Sequence, residues 1–237
     1  MFAEKKYTEI TKDNFEPILR SFAKHFKKLN GKSMPAELIL VGGAAVMARY
    51  GFRDMTKDFD SIIRTSSAVR EAASIVEDEF GLEHNWLNND FQRTDSYSKE
   101  LILHSKHYRT YYGILDVRTI DAEYLIAMKM VSAREHSNDL PDIVGIVAEQ
   151  IEMENPITFE KVDTAMNNLY GGWDKVSDQM KQFLHFVLEH ENPNELYDQM
   201  KAARQGIMQS ELSPQVEKDV FYQKKGKELD LEDDLEI

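Results

Sequence analysis

The chain has no cysteine, which excludes disulfides and thiolate metal sites and fits a reducing compartment. No apolar run approaches the roughly 20 residues that a membrane span needs. The opening residues Met1 to Lys6 lack the apolar centre of a secretory signal. The expectation is therefore a cytoplasmic location with no membrane partner. His104 and His107 stand close together, but no further His or Cys follows at ligand spacing, so they read as surface residues and not as a zinc site. Basic charge is also in deficit. Twenty-nine Lys and Arg against 42 Asp and Glu leave a net charge of −13, which opposes coating of long nucleic acids. The balance is uneven, however: the first 35 residues hold eight basic and four acidic side chains, while the last ten hold six acidic and none basic. A basic start of this kind still allows a grip on a small anion or on one end of an RNA.

What is present is a globular composition, 42% apolar and 30% charged over 237 residues, enough for a sizeable core. Phe15, Ile18, Leu19, Phe22, Phe26 and Leu29 recur at helical spacing, with Asp13 and Glu16 as a candidate capping pair and Asn30-Gly31-Lys32 as the end. The polar side of that helix carries Arg20, Lys24, Lys27 and Lys28, read as a solvated face in preference to a phosphate-contacting one. Leu38 to Val41 reads as a buried strand, followed by Gly42-Gly43 and a helix over Ala44 to Tyr50. A second strand is expected at Phe59 to Ile63, then a helix over Ala68 to Glu79 closed by Gly81. Residues 82–98 read as loop or irregular strand, and further strands are expected at Leu101 to His104 and Ile114 to Thr119. Helical periodicity then takes over, at Ala122 to Arg134, Asp139 to Glu152, Phe159 to Leu169, Ser177 to Glu189 and Asn194 to Gly206. The expected division is an α/β core over 1–120 with the amphipathic N-terminal helix, a helical part over 121–209, and a flexible acidic tail over 210–237.

Asp58 and Asp60 are one residue apart on an expected strand, so alternation points both to the same face and sets two hard oxygen ligands side by side. Mg²⁺ suits such a pair, because it accepts one or two carboxylates and takes the rest of its shell from water and substrate phosphates. Alone, an Asp-x-Asp reads equally well as a solvated strand end. Upstream, Gly42-Gly43 joins a strand to a helix and offers backbone N–H groups and the positive helix end to an anion. Arg53, Thr56 and Lys57 add two cations and a hydroxyl between the two elements. A phosphate cradle beside a metal platform suggests nucleotide chemistry.

Val41-Gly42-Gly43-Ala44-Ala45, then Gly51-x-Arg53-x-x-Thr56-x-Asp58-Phe59-Asp60, resembles the signature of polymerase β-type nucleotidyltransferases. Within that superfamily it is most similar to the AbiEii-like group of toxin-related and minimal nucleotidyltransferases, the likeness covering about residues 37–145. The resemblance implies an α+β fold, a nucleotidyltransferase-like mixed sheet flanked by helices and followed by an all-helical C-terminal part. It implies that Asp58 and Asp60 bind catalytic Mg²⁺, that Gly42 and Gly43 hold the phosphates of a nucleoside triphosphate, and that Arg53 and Thr56 belong to the nucleotide site. A third carboxylate is common in the superfamily, and Asp116 in Ile114-Leu115-Asp116-Val117 is the matching position, as metal ligand or as acceptor of the attacking hydroxyl's proton. Lys129, Arg134 and Asp139-x-x-Asp142 are similar to a lysine, arginine and acidic motif of the AbiEii-like group. Lys129 would contact the triphosphate and Asp142 would orient Lys129 or the acceptor, while Asp139 reads equally as a helix cap. The implied reaction is transfer of a nucleoside monophosphate to a hydroxyl of tRNA or of a protein, as in the toxin of a toxin–antitoxin pair with an antitoxin partner. The alternative is an inactive protein of the same fold that serves as a binding or regulatory module.

Other signals carry less. Gly31-Lys32-Ser33 imitates the end of a P-loop, but Phe26 occupies the place of the required glycine. Tyr97, Tyr108, Tyr111 and Tyr112, interleaved with Lys99, Lys106, Arg109 and Arg118, offer a base-stacking surface, although packing on half-buried strands is the favoured reading. Met128, Met130, Phe183, Leu184 and Phe186 read as helix packing.

Overall fold

The computed structural model describes residues 7–30, 34–63, 66–132 and 138–210, the last helix without side chains beyond Ala203. Gly31-Lys32-Ser33, Arg134 and the acidic stretch after residue 210 lie outside the described residues. The elements are β1 (Ile10–Thr11), α1 (Lys12–Asn30), β2 (Ala36–Leu40), α2 (Gly42–Arg49), β3 (Met55–Thr56), β4 (Phe59–Ile63), α3 (Ser67–Phe80) and β5 (Leu87–Asn88). They continue with β6 (Ser105–Tyr111), β7 (Leu115–Ile120), α4 (Ala122–Ser132), α5 (Asp139–Glu152), α6 (Phe159–Tyr170), α7 (Asp178–Glu189) and α8 (Pro193–Ser210).

Five strands form one mixed sheet in the order β5-β4-β2-β7-β6, and β1 pairs separately with β3. β2 is the centre, antiparallel to β4 and parallel to β7. Its Leu38, Ile39 and Leu40 are all buried, as expected of a strand covered on both faces. The register aligns Leu38 with Ile63 and Leu40 with Ser61, so Phe59 shares the face of Leu38 and Leu40. Phe59 meets Phe15 of α1 at 5.0 Å and Trp86 at 5.5 Å between ring centroids, and Trp86 meets Phe22 at 6.1 Å. Helices α1 and α3 pack together beside this face. Each large side chain so buried contributes roughly 1.5–3 kcal/mol.

Helix α4 buries Tyr124 to Met130 without a polar stripe, because it packs between α2, α5 and α6. Helix α5 leans on α4, α7 and α8. The buried apolar side chains of the sheet and of the C-terminal helices belong to one continuous core. Phe52 helps to join them. Its ring packs on Gly145 of α5, where an added Cβ would come within 2.7 Å of it, and its carbonyl accepts the Tyr197 hydroxyl of α8 at 3.0 Å. No helix among the described residues is long and apolar enough to cross a membrane.

Two expectations are corrected. Leu101 to His104 is not a strand. It lies in a 3₁₀ turn, Lys99–His104, that buries Leu101 and exposes Ile102 and Leu103, and the strand starts at Ser105. β6 is an edge strand with mostly exposed side chains, so it lacks the apolar run that marks an inner strand. The 82–98 segment, expected as loop or irregular strand, is that: it contributes the two-residue β5, parallel to β4, and a short 3₁₀ turn, Asp90–Arg93. Nor do Asp13 and Glu16 cap α1. The Thr11 N–H donates to Asn14 Oδ1 at 2.8 Å, while Glu16 accepts the hydroxyls of Tyr108 at 2.6 Å and Tyr111 at 2.8 Å and the Arg109 guanidinium at 3.1 Å.

That carboxylate also explains the tyrosines of the interleaved stretch. Tyr108 and Tyr111 pack and hydrogen-bond inward, Tyr97 packs on Phe91, and Tyr112 is exposed beside Lys27. Burial, then the Glu16 hydrogen bond, pushes both inward phenols well above the ordinary tyrosine range. Folding therefore holds these protons more tightly than the unfolded chain does. Their stabilisation is full below about pH 10, the unfolded value, and is lost as pH rises further. Glu16→Ala leaves both hydroxyls without this acceptor and is expected to lower unfolding stability by about 2 kcal/mol at neutral pH. Urea denaturation at pH 7 checks the first, and the same titration repeated at pH 9 to 11 checks the alkaline loss, which should flatten in the variant.

Candidate active site

Strand β2 delivers Val41 to the start of α2, where Val41 is extended and no side chain caps the helix. Gly42 takes φ +54°, a conformation that glycine reaches without Cβ strain. The Val41 N–H donates to the Asp60 carbonyl at 3.0 Å, holding β4 against the strand-to-helix turn. An added Cβ at Gly42 would stand 3.5 Å from Asp60 Oδ2. The Asp60 carboxylate thus lies against the positive end of α2.

Asp58 and Asp60 are both half-buried, flanking the fully buried Phe59. Both line a cleft of ≈ 570 Å³ together with Val41 and Gly42. One wall is the 90–96 segment, with Asp90, Phe91, Arg93, Thr94, Asp95 and Ser96, and the other is α4 with Leu125, Met128, Lys129, Val131 and Ser132, plus Asp139 of α5. Among the described residues, five carboxylates and two cations line it. An anionic ligand enters such a cleft only with a compensating cation.

Gly43 is held to glycine by what lies beneath it. A Cβ there would lie 2.6 Å from the Arg53 guanidinium and 2.8 Å from Thr56 Oγ1, so the glycine lets Arg53 lie directly under the helix start. Arg53 donates from Nε to the Met55 carbonyl at 3.0 Å and pairs closely with Asp142. Thr56 is buried and donates to the Asp58 carbonyl at 3.2 Å. Arg53, Thr56 and Asp142 are not among the cleft-lining residues; they form the layer behind it.

Lys129 joins that layer to the cleft. Its Nζ donates to Asp142 Oδ2 at 2.6 Å and Asp139 Oδ1 at 3.1 Å, and Ser132 Oγ donates to Asp139 Oδ2 at 2.8 Å. Lys129, Asp139 and Asp142 are each at most 6% exposed. Two cations and two carboxylates therefore share one buried network. Asp139 is a partner of Lys129, not a cap: the residue before α5 is Asn138, which makes no side-chain cap bond.

Asp116 is the residue that the structure does not bring to this group. It pairs in register with Glu37, at the far end of β2 from Gly42. Asp60 stands opposite Val41. The two acids are thus four residues apart along the sheet and two strands across, on the order of 16 Å at ordinary strand spacings. Asp116 instead accepts from Thr110 Oγ1 at 3.1 Å and faces His107 at 3.2 Å and Arg118 at 3.8 Å. The β7 position level with Val41 is Ile120, which is apolar and buried. The assignment of Asp116 as third metal ligand and proton acceptor is therefore corrected. Alternation indicates its face but not its height in the sheet.

Sequence reasoning missed Asn88, Asp90, Arg93 and Asp95, which come from the segment read as loop or irregular strand. Asn88-Asn89-Asp90 is visible as turn chemistry, but only the pairing of β5 with β4 carries it to the carboxylates.

The mixed sheet flanked by helices, with its helical C-terminal part, is a nucleotidyltransferase-like fold. The family described as "Nucleotidyltransferase of unknown function (DUF6036)" matches residues 18–181, from within α1 to the start of α7, and the chain belongs to it. No curated protein and no solved structure gives a significant match.

The buried network makes two demands on stability. Lys129→Met leaves Asp139 and Asp142 without their shared cation and is expected to cost about 3–5 kcal/mol, read by chemical denaturation. Gly43→Ala displaces the Arg53 guanidinium, and a double-mutant cycle with Asp142→Asn is expected to show strong non-additivity; independent effects would contradict the contact.

Proposed function

We propose that the chain is an Mg²⁺-dependent nucleotidyltransferase that transfers a nucleoside monophosphate from a nucleoside triphosphate to an acceptor hydroxyl and releases pyrophosphate. The observation that carries this reading is the convergence of Asp58 and Asp60 with Gly42, at the uncapped start of α2, in one open cleft. The donor set fits the ion. Both are hard oxygen donors, and among the described residues no group of three or more His, Cys, Asp or Glu forms a protein-only cage. Mg²⁺ suits a site of this type, since it is held by one or two carboxylates plus substrate phosphates. When bound, it would offset the triphosphate charge in an otherwise acidic cleft and polarise the phosphoryl oxygens.

The protein's own groups supply the rest. Asp58 and Asp60 hold the cation; the backbone N–H groups at the start of α2 receive phosphate oxygens. Lys129 presents a point charge whose direction is fixed by Asp139 and Asp142. Arg53 and Thr56 act from behind, Arg53 by holding Asp142 and Thr56 by holding the Asp58 backbone. Leu125 and Met128 give the cleft its apolar lining on the α4 side. Asp116 has no part in the step.

The likeness of the Arg53 to Asp60 motif, and the joining of Lys129, Asp139 and Asp142 in one network, support placement in the AbiEii-like group. On that reading the acceptor is a hydroxyl of tRNA or of a protein, the physiological setting is a toxin–antitoxin pair, and an antitoxin is the partner. One observation favours the second reading, an inactive binding module of the same fold: the carboxylate expected to take the acceptor proton stands at the wrong end of the sheet.

Calorimetric titration of each of the four nucleoside triphosphates with Mg²⁺ is expected to show metal-dependent binding of at least one. Asp58→Asn with Asp60→Asn abolishes it, and Asp116→Asn leaves it unchanged. No binding to any triphosphate would overturn the proposal. Binding without pyrophosphate release, in the presence of total tRNA or of candidate protein acceptors, would support the inactive reading.

A further inference from the structure

The segment after α3 walls one side of the cleft, and just before that wall it supplies a side chain that touches one of the two cleft carboxylates. β5 pairs with β4 so that Asn88 stands opposite Asp60. From there Asn88 Nδ2 donates to Asp58 Oδ2 at 3.0 Å. The amide orientation is fixed by a second contact: the Asp90 N–H donates to Asn88 Oδ1 at 2.9 Å, and a backbone N–H has no acceptor role, so the NH₂ group must face Asp58. Ser61, fully buried on β4, donates to the Asn88 carbonyl at 2.9 Å. The turn that leads in is anchored by Trp86, whose indole N–H donates to the Ala73 carbonyl at 3.0 Å and whose carbonyl accepts the Phe59 N–H at 2.6 Å.

We propose that Asn88 is a positioning residue for the metal-binding carboxylate Asp58, and that the segment between α3 and β6 serves to hold it there; this rests on the nucleotidyltransferase reading. A neutral donor suits the task. It fixes the rotamer of Asp58 without neutralising its charge, whereas a lysine in the same place would compete with the cation. Asp58 lies just before β4, while Asp60 is placed within the strand and against Gly42. A side-chain contact from β5 therefore helps to set the aim of Asp58, which lies outside the strand. Partners of this kind, hydrogen-bonded to a metal-binding carboxylate, typically change metal affinity by about 10- to 100-fold when removed.

The test measures the Mg²⁺ concentration at half-maximal binding of the triphosphate that the wild-type protein binds, by calorimetry, in Asn88→Ala and Ser61→Ala. Asn88→Ala is expected to raise that concentration at least about tenfold. Ser61→Ala removes a different hydrogen bond of the same strand pair and is expected to change it by less than about twofold. If Asn88→Ala melts below the assay temperature, Asn88→Ser replaces it, since the shorter hydroxyl keeps an acceptor for the Asp90 N–H and cannot reach Asp58. An unchanged Mg²⁺ requirement in the Asn88 variant, with Asp58→Asn still abolishing binding, overturns the role of Asn88 and leaves the nucleotidyltransferase reading intact. An equal rise in Ser61→Ala shows general loosening of β5 and also overturns it. Absence of metal-dependent binding in the wild-type protein overturns both.

Discussion

The buried pairing of Arg53 and Lys129 with Asp142 and Asp139 is the interaction on which the cleft depends. Each ion alone in that environment would cost several kcal/mol, and together they are tolerated because every carboxylate meets a cation. Arg53 reaches its place only because Gly43 has no side chain. Asp142 and Asp139 come from α5, and Lys129 from α4. One charge network thus connects the start of α2 with the two helices that complete the cleft.

This arrangement divides the work of the site into two layers. Facing the cleft are Asp58, Asp60, Gly42, Lys129 and Asp139; behind it are Arg53, Thr56 and Asp142. The rear layer is paired and largely buried, and Phe52, next to Arg53 in the chain, packs on α5 and bonds to α8. The front layer is acidic and, on the proposed function, would receive a cation. Such a distribution is suited to electrostatic stabilisation, in which the charges that matter are fixed before the ligand arrives. On the nucleotidyltransferase reading it also reconciles a strongly acidic chain with a triphosphate ligand: the compensating positive charge comes with the ligand as much as from the protein.

Much of the fold was legible in residue patterns, for identifiable reasons. Leu38 to Val41 and Phe59 to Ile63 are inner strands whose apolar content marks them, and α1 has a periodic face. β6 was misplaced because an edge strand need bury only part of its surface. Glu16 looked like a cap because capping is judged from local spacing, whereas its partners Tyr108, Arg109 and Tyr111 stand more than 90 residues away in the chain.

By itself the sequence put forward the paired carboxylates and the glycine turn at the start of α2 from residue type and short spacing, and the candidates Arg53, Thr56, Lys129 and Asp142 from the likeness to a nucleotidyltransferase family. Alternation along a strand settles which face a side chain takes, and it served for Asp58 and Asp60. Only the tertiary structure decided how far along the sheet each acid stands, which removed Asp116 from the group, and which distant segment closes the cleft, which brought in Asn88. Those two matters depend on strand register and on the pairing of segments far apart in the chain. Local periodicity carries no information about either.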